Sequence, residues 1–282
     1  MKGFINLYKP SGMSSAYAVG AVKHKFKVPC GHMGTLDPMA SGILPVGIGK
    51  TSRLFPFLLD KKKTYVATIK FGITTDTLDT TGIVTNTSSI LPDFNTVESV
   101  LGKFIGEIDQ IPPNYSAKCV NGKRGYELSR KGVEFELPPK KVTVYDIKLL
   151  EQIDAEQYKL EIVCGGGTYI RSLCRDIGCA CNSLAVMSGL ERTASGKFDL
   201  SSAVSVEEFK ASDNPEKFII PADFAVDFPK LVLSSERAQK ILDGVFENYG
   251  YADGTYRVYN QEDFWGIGIA KDGVLKITSY VR

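Results

Sequence analysis

Gly31-His32-Met33-Gly34-Thr35-Leu36-Asp37-Pro38-Met39-Ala40-Ser41-Gly42 is the stretch on which the reading of this chain turns. It carries the first acidic side chain of the sequence. The 36 residues before Asp37 hold five lysines and no Asp or Glu. Across residues 1–70 there are 11 Lys or Arg and only two acids, Asp37 and Asp60. Pro38 biases Asp37 toward extended backbone, and the glycines permit positive φ and close approach of a ligand. Such a loop can be a surface turn in which Asp37 bonds its own backbone. It can also present a lone carboxylate for chemistry on a polyanion: basic flanks attract phosphate, and an acid among them repels it and so needs another purpose. His32, five residues away, can act as acid or base, stack on a base, or pack.

Working outward, residues 4–8 read as a strand stopped by Lys9-Pro10-Ser11-Gly12. Ser14 or Ser15 can cap a helix running to about Lys27, with Val19, Val22 and Phe26 at helical spacing. Residues 43–48 form a short apolar strand, and residues 51–59 look helical, with Pro56 as a kink. Residues 64–71 alternate as a half-buried strand does. A helix is expected over 97–104 and strands over 142–150 and 158–163. Gly165-Gly166-Gly167 then opens a helix over about 168–181, and residues 184–190 return as a strand. This interleaving predicts an α+β fold with a mixed, largely antiparallel central sheet flanked by helices. Composition shifts near residues 213–215 and 221–229. Beyond them a helix over 234–242 and strands over 256–259, 265–270 and 274–280 form a small β-rich module. The expected division is therefore 1–228 and 229–282.

At 282 residues, 43% hydrophobic and 23% charged, the chain has the composition of an ordinary soluble protein. No apolar run reaches the length of a membrane span and the N-terminus lacks a signal-peptide core, so a cytoplasmic protein is expected. The six cysteines form no CxxC pair and read as reduced thiols; Cys174, Cys179 and Cys181 lack the spacing of known zinc patterns. Net charge is only +2, but residues 1–150 hold 20 Lys and Arg against 12 acids and the remainder 14 against 20. The asymmetry suits an anionic partner for the first half; a merely solvated basic surface is the plainer alternative.

Three further constellations could carry chemistry. Gly47-Ile48-Gly49-Lys50-Thr51-Ser52 has the end of a phosphate-binding P-loop, but Leu44 stands where the first glycine is needed. Arg171, early in the helix after the glycine run, can pair with a carboxylate and keep it ionised, or sit on the surface. Lys61-Lys62-Lys63-Thr64-Tyr65 and the run holding Lys123, Arg124 and Tyr126 interleave cations with aromatics, as RNA binding requires. Tyr65 is equally a core strand residue.

Asn6-Leu7-Tyr8-Lys9-Pro10-Ser11-Gly12-Met13-Ser14-Ser15 and Gly31-His32-Met33-Gly34-Thr35-Leu36-Asp37-Pro38 together resemble the TruB family of tRNA pseudouridine synthases. The likeness continues through Lys63-Thr64-Tyr65, Ile111-Pro112-Pro113-Asn114-Tyr115-Ser116-Ala117, Gly167-Thr168-Tyr169-Ile170-Arg171 and Leu190-Glu191-Arg192-Thr193. Ala16 and Tyr17 follow the serine pair where the family often has an acid. The resemblance implies the pseudouridine synthase fold with a PUA-like C-terminal RNA-binding module. It implies isomerisation of uridine 55 in the tRNA T loop, without metal or cofactor, by a monomer whose partner is the T-arm stem-loop. Carried over by position, Asp37 would be the nucleophile, as carboxylates are in glycosidases. Tyr65 would stack on the flipped uracil and Arg171 would pair with Asp37. His32, Tyr169 and Leu190 would meet the substrate, while Lys9, Lys61, Lys62, Lys63, Lys123 and Arg124 would meet its backbone.

Overall fold

The computed structural model describes residues 2–59, 61–115, 119–120, 123–124 and 137–282, with backbone only at 119–120 and 123–124. The chain divides into two units, residues 62–194 and the pair of segments 1–61 and 195–282.

The first segment begins with strand β1 (Gly3–Lys9), buried along nearly its whole length. Ser14 then caps helix α1 (Ser15–Phe26) by accepting the Tyr17 N–H. Lys23, His24 and Lys25 occupy the last turn, where cations oppose the helix dipole. Lys27, at φ 53°, ends the helix by returning its N–H to the Lys23 carbonyl. A short strand β2 (Cys30–His32) pairs antiparallel with β3 (Ser41–Ile48), and β3 pairs in turn with β1. The Asp37 loop is thus the connection between β2 and β3. Residues 49–57 wind as a 3-10 helix, two residues earlier than the helix expected over 51–59 and more tightly wound than an α-helix, with Pro56 inside it.

The second unit is built on an antiparallel sheet. Strand β4 (Lys63–Phe71) alternates buried and half-buried residues, as its sequence predicts. A hairpin, β5 (Ile73–Thr75) and β6 (Val84–Thr87), follows. Helix α2 (Phe94–Leu101) starts earlier than the helix expected over 97–104, because Asp93 caps it by accepting the Thr96 N–H at 2.8 Å. After β7 (Gly106–Gln110), two short strands, β8 (Cys119–Val120) and β9 (Lys123–Arg124), pair antiparallel. Strands β10 (Lys140–Gln152) and β11 (Gln157–Cys164) precede helix α3 (Ile170–Ala180), and β12 (Ala185–Ser195) ends the unit. The strand order is β12-β4-β11-β10-β7. Tyr65, Ala67, Ile69 and Phe71 of β4 share a buried face, as do Tyr158, Leu160, Ile162 and Cys164 of β11.

The final segment returns to the first unit. After β13 (Phe198–Asp199), strand β14 (Val204–Ser205) lies parallel to β1, with Leu7 opposite Val204. Helix α4 (Val206–Ala211), capped by Ser205, buries Phe209 with Ala18 and Val22 of α1. Residues 230–280 form a separate five-stranded sheet: β15 (Lys230–Leu233), β16 (Asn248–Tyr251), β17 (Gly254–Asn260), β18 (Asp263–Lys271) and β19 (Gly273–Tyr280), ordered 15-17-18-19-16. Helix α5 (Ser235–Leu242) packs on it through Ala238 and Ile241, over a core containing Trp265. The architecture is α+β with a small β-rich C-terminal sheet, as the element pattern predicts.

Candidate active site

The Asp37 loop is fixed from both sides of the aspartate. On its N-terminal side, the buried Ser15 hydroxyl accepts the Leu36 N–H at 3.0 Å and donates to the Leu36 carbonyl at 2.8 Å. On its C-terminal side stands Lys9, wholly buried at the end of β1. Its ammonium donates to the carbonyls of Pro10 at 2.9 Å, Met13 at 2.7 Å, Pro38 at 3.4 Å and Ala40. The Gly12 N–H reaches the Pro38 carbonyl, Ser11 Oγ the Met39 carbonyl, and the Ala40 N–H closes a turn on the Asp37 carbonyl. One buried cation therefore gathers two chain segments around a half-buried carboxylate. Gly34 and Gly42, at φ 104° and 108°, supply the left-handed backbone at the loop's shoulders.

Gly31 and Gly47 have a different purpose from the one their motifs suggest. A Cβ at Gly31 would stand 3.2 Å from the Phe55 ring and one at Gly47 3.0 Å from it. They make room for a packed aromatic. His32 ends β2 opposite Val46.

The second unit holds the remaining expected site residues. Arg171, in the first turn of α3, is buried. Its guanidinium donates from Nη1 to the Thr77 carbonyl at 2.9 Å and from Nη2 to the Tyr115 carbonyl at 3.0 Å, with Asp79 Oδ2 at 3.7 Å. Asp79 is itself buried, and its other oxygen accepts from the Thr77 hydroxyl at 2.8 Å and the Thr81 N–H at 3.0 Å. Two buried charges thus fix each other and the loop over residues 76–82, which is also pinned to β12 by paired bonds to Met187. Sequence reasoning did not mark Asp79 as a partner of Arg171. A carboxylate flanked by threonines is a local turn signal, and nothing in its spacing points to an arginine 92 positions away.

Tyr169, the residue before α3, has no side-chain cap, but Gln110 at the end of β7 takes that place. Gln110 Oε1 accepts the Tyr169 N–H at 2.8 Å and its Nε2 donates to the Tyr169 carbonyl at 3.1 Å. Ser172 Oγ donates to the Ile111 carbonyl at 2.8 Å, so the Ile111-Pro112-Pro113 turn and the start of α3 are tied together. Tyr65 is largely buried in β4, and Leu190 is half-buried in β12, the neighbouring strand.

The cations expected to meet an RNA backbone separate by burial. Lys9 and Lys63 are buried, at 0% and 7% exposure. Lys61 is half-buried and shares Asp227 with Lys197. Lys62 is exposed, its ammonium 4.3 Å from the centre of the Tyr145 ring. The side chains of Lys123 and Arg124 lie outside the described residues. In the C-terminal sheet, Arg237 stacks 4.1 Å from the Tyr249 ring and donates to the Tyr251 hydroxyl at 3.2 Å, a cation–aromatic surface the sequence reading missed. Burial pushes the Cys164 thiol up to about 11 and Cys174 up to about 12, so both stay neutral.

Residues 23–170 match the family model of the TruB family pseudouridylate synthase (N terminal domain), and residues 171–227 that of the tRNA pseudouridylate synthase B C-terminal domain. The chain is 40% identical over 287 residues to the tRNA pseudouridine synthase B of Clostridium kluyveri, covering 98% of each chain. It is 41% identical over 284 residues to that of Aquifex aeolicus, again over 98% of each. Among solved structures it aligns with the crystal structure of a Cbf5-Nop10-Gar1 complex at TM-score 0.71 and 26% identity, over 98% of this chain and 79% of that one. It also aligns with an H/ACA RNP bound to a substrate RNA containing 2'-deoxyuridine, at TM-score 0.73 and 24% identity, over 99% and 85%. The fold and its motifs define a pseudouridine synthase. Within that class, the chain belongs to the TruB family.

Proposed function

We propose that the protein isomerises uridine 55 in the T loop of tRNA to pseudouridine, with Asp37 as the nucleophile. The relatives named tRNA pseudouridine synthase B support the tRNA substrate. The observation that carries the assignment to Asp37 is its loop: a buried lysine and a buried serine hold both flanks of one carboxylate. In the reaction the N1–C1′ bond breaks, the uracil turns, C5 bonds to C1′, the C5 proton leaves to solvent and N1 takes one up. Carboxylate addition offers a route for bond breakage, and preorganisation of the loop lowers the cost of reaching the reactive geometry. The target uridine leaves its stack to react. Tyr65 stacks on it, Tyr169, Leu190 and His32 line its surroundings, and Arg171 pairs with Asp37. Arg171 suits that role because it is already held as a buried cation. The Arg237, Tyr249 and Tyr251 surface supports residues 229–282 as an RNA-binding module. We place the enzyme in the cytoplasm as a monomer that engages the T-arm. No helix among the described residues is long and apolar enough to cross a membrane.

The test is tritium release from a T-arm stem-loop labelled at C5 of the target uridine. Wild type releases tritium; Asp37→Asn binds the RNA and releases none. Tight binding without release by wild type would replace this reading with that of a non-catalytic RNA-binding protein.

A further inference from the structure

Helix α1 has a second face that its fold does not use. Ser15, Ala18 and Val22 turn inward, whereas Tyr17, Gly20 and His24 lie on the opposite stripe, flanked by Ala21, which also packs on the core, and by Lys25. With Lys210 of α4 they enclose an open cavity of about 480 Å³, within the range that small ligands occupy. Gly20 lies in its floor. Glycine is the poorest helix former after proline, yet Gly20 has no positive φ and a Cβ built there meets nothing within 4 Å. Neither backbone conformation nor packing within the chain calls for a glycine, so its effect is to keep the floor open.

The rim is cationic. Lys25 Nζ is held by the Ser212 carbonyl at 2.8 Å, and Lys210 Nζ by the Tyr17 hydroxyl at 3.4 Å. Both partners are neutral, and no carboxylate is among the lining residues. Glu207 and Glu208 stand on the first turn of α4, before Lys210. The two charges are therefore positioned but not neutralised.

We propose that this cavity is a second RNA contact, taking a nucleotide of the tRNA outside the isomerised loop, with its ring over Gly20 beside Tyr17 and its phosphate between Lys25 and Lys210. An open trough along an exposed helix suits a passing strand better than an enclosed metabolite. Apolar floor, aromatic wall and paired cations are what an unstacked nucleotide requires. The proposal rests on the reading of the protein as a tRNA-modifying enzyme.

Dissociation constants and KM values are measured for a full-length tRNA transcript and for the T-arm stem-loop. Gly20→Leu fills the floor from a Cβ position that meets nothing within 4 Å, and is expected to keep the melting temperature. It raises the ratio of the full-length to the stem-loop constant about tenfold, the loss of one stacked contact. Lys25→Gln/Lys210→Gln, which retains hydrogen-bonding amides, lowers the salt slope for full-length tRNA by about two and leaves that for the stem-loop. Equal effects on both RNAs, or none on either, overturn the proposal. So does uridine monophosphate binding that Gly20→Leu abolishes while tRNA binding is unchanged, which would make the cavity a small-molecule site. Failure of the underlying enzyme reading is separate: wild type would release no tritium from either RNA, while the binding constants would still decide the cavity.

Discussion

A lysine ammonium has three protons, and Lys9 spends them on four backbone carbonyls around the Asp37 loop. Removing it strands buried acceptors, each costly to leave unmade. Lys9→Met should lower the unfolding free energy by about 3 kcal/mol in urea denaturation, as breaking a buried charged network does. It should also reduce kcat about 100-fold, because a small displacement of a reacting carboxylate is enough for that. A melting temperature and kcat near wild type would show that Lys9 positions nothing. Asp227 behaves differently, being half exposed between Lys197 and Lys61. The hydrogen bond from Lys197, then that from Lys61, holds its carboxyl below the usual carboxylate range. Its stabilising effect is therefore present above about pH 4, the unfolded value, and disappears as acid protonates the folded carboxylate. Solvent screening keeps it under about 1 kcal/mol. Asp227→Asn should flatten the acid limb of the stability curve between pH 5 and pH 2 by that amount and leave the curve at pH 7–8 parallel to wild type. At this scale the sequence disclosed Asp37 and Arg171 as charged residues in special surroundings. It did not disclose that Lys9 and Lys63 are buried, because a lysine's long stem reads the same whether its head reaches water or carbonyls.

Elements carry the second level of positioning. Helix α3 begins without a capping side chain of its own, and Gln110 closes both backbone groups of Tyr169 from another strand. Gln110→Ala removes the amide that accepts the Tyr169 N–H and donates to its carbonyl, while that carbonyl keeps the Leu173 N–H at 3.1 Å, so it should cost about 1 kcal/mol. Amide exchange should quicken in the first turn of α3 well before the rest of the unit. Protection unchanged from wild type would mean that water replaces the amide without loss. The alternation of β4 and β11 was readable because one face of each is buried, which imposes a period of two. The start of α2 was misplaced by three residues because its first turn is set by the Asp93 cap and not by apolar spacing. Gln110 was invisible for a related reason: its partner is 59 positions away, and no local pattern marks a long-range cap.

At the scale of the molecule, the same nonlocality hides the division into units. Strand β1 pairs with β14, Leu7 opposite Val204, and no periodicity connects residues so far apart. What the whole sequence does disclose is charge: the excess of lysine and arginine lies in residues 1–150. Association with a polyanion releases one condensed counterion for each phosphate neutralised, so the slope of log K against log salt counts cations that reach the backbone. Burial sorts those cations before the experiment. Lys62 is exposed and free of carboxylates among the described residues, so Lys62→Ala should lower the slope by about one. Lys61→Ala should lower it by less, because Asp227 at 3.3 Å already neutralises part of its charge. Lys63→Met should weaken the fold but leave the slope of the folded fraction unchanged, since its ammonium is buried. Filter binding of tRNA at five salt concentrations separates the three. Equal slopes for all of them would mean that the phosphates are met elsewhere, and a full unit lost at Lys63 would mean that the strand opens when RNA binds.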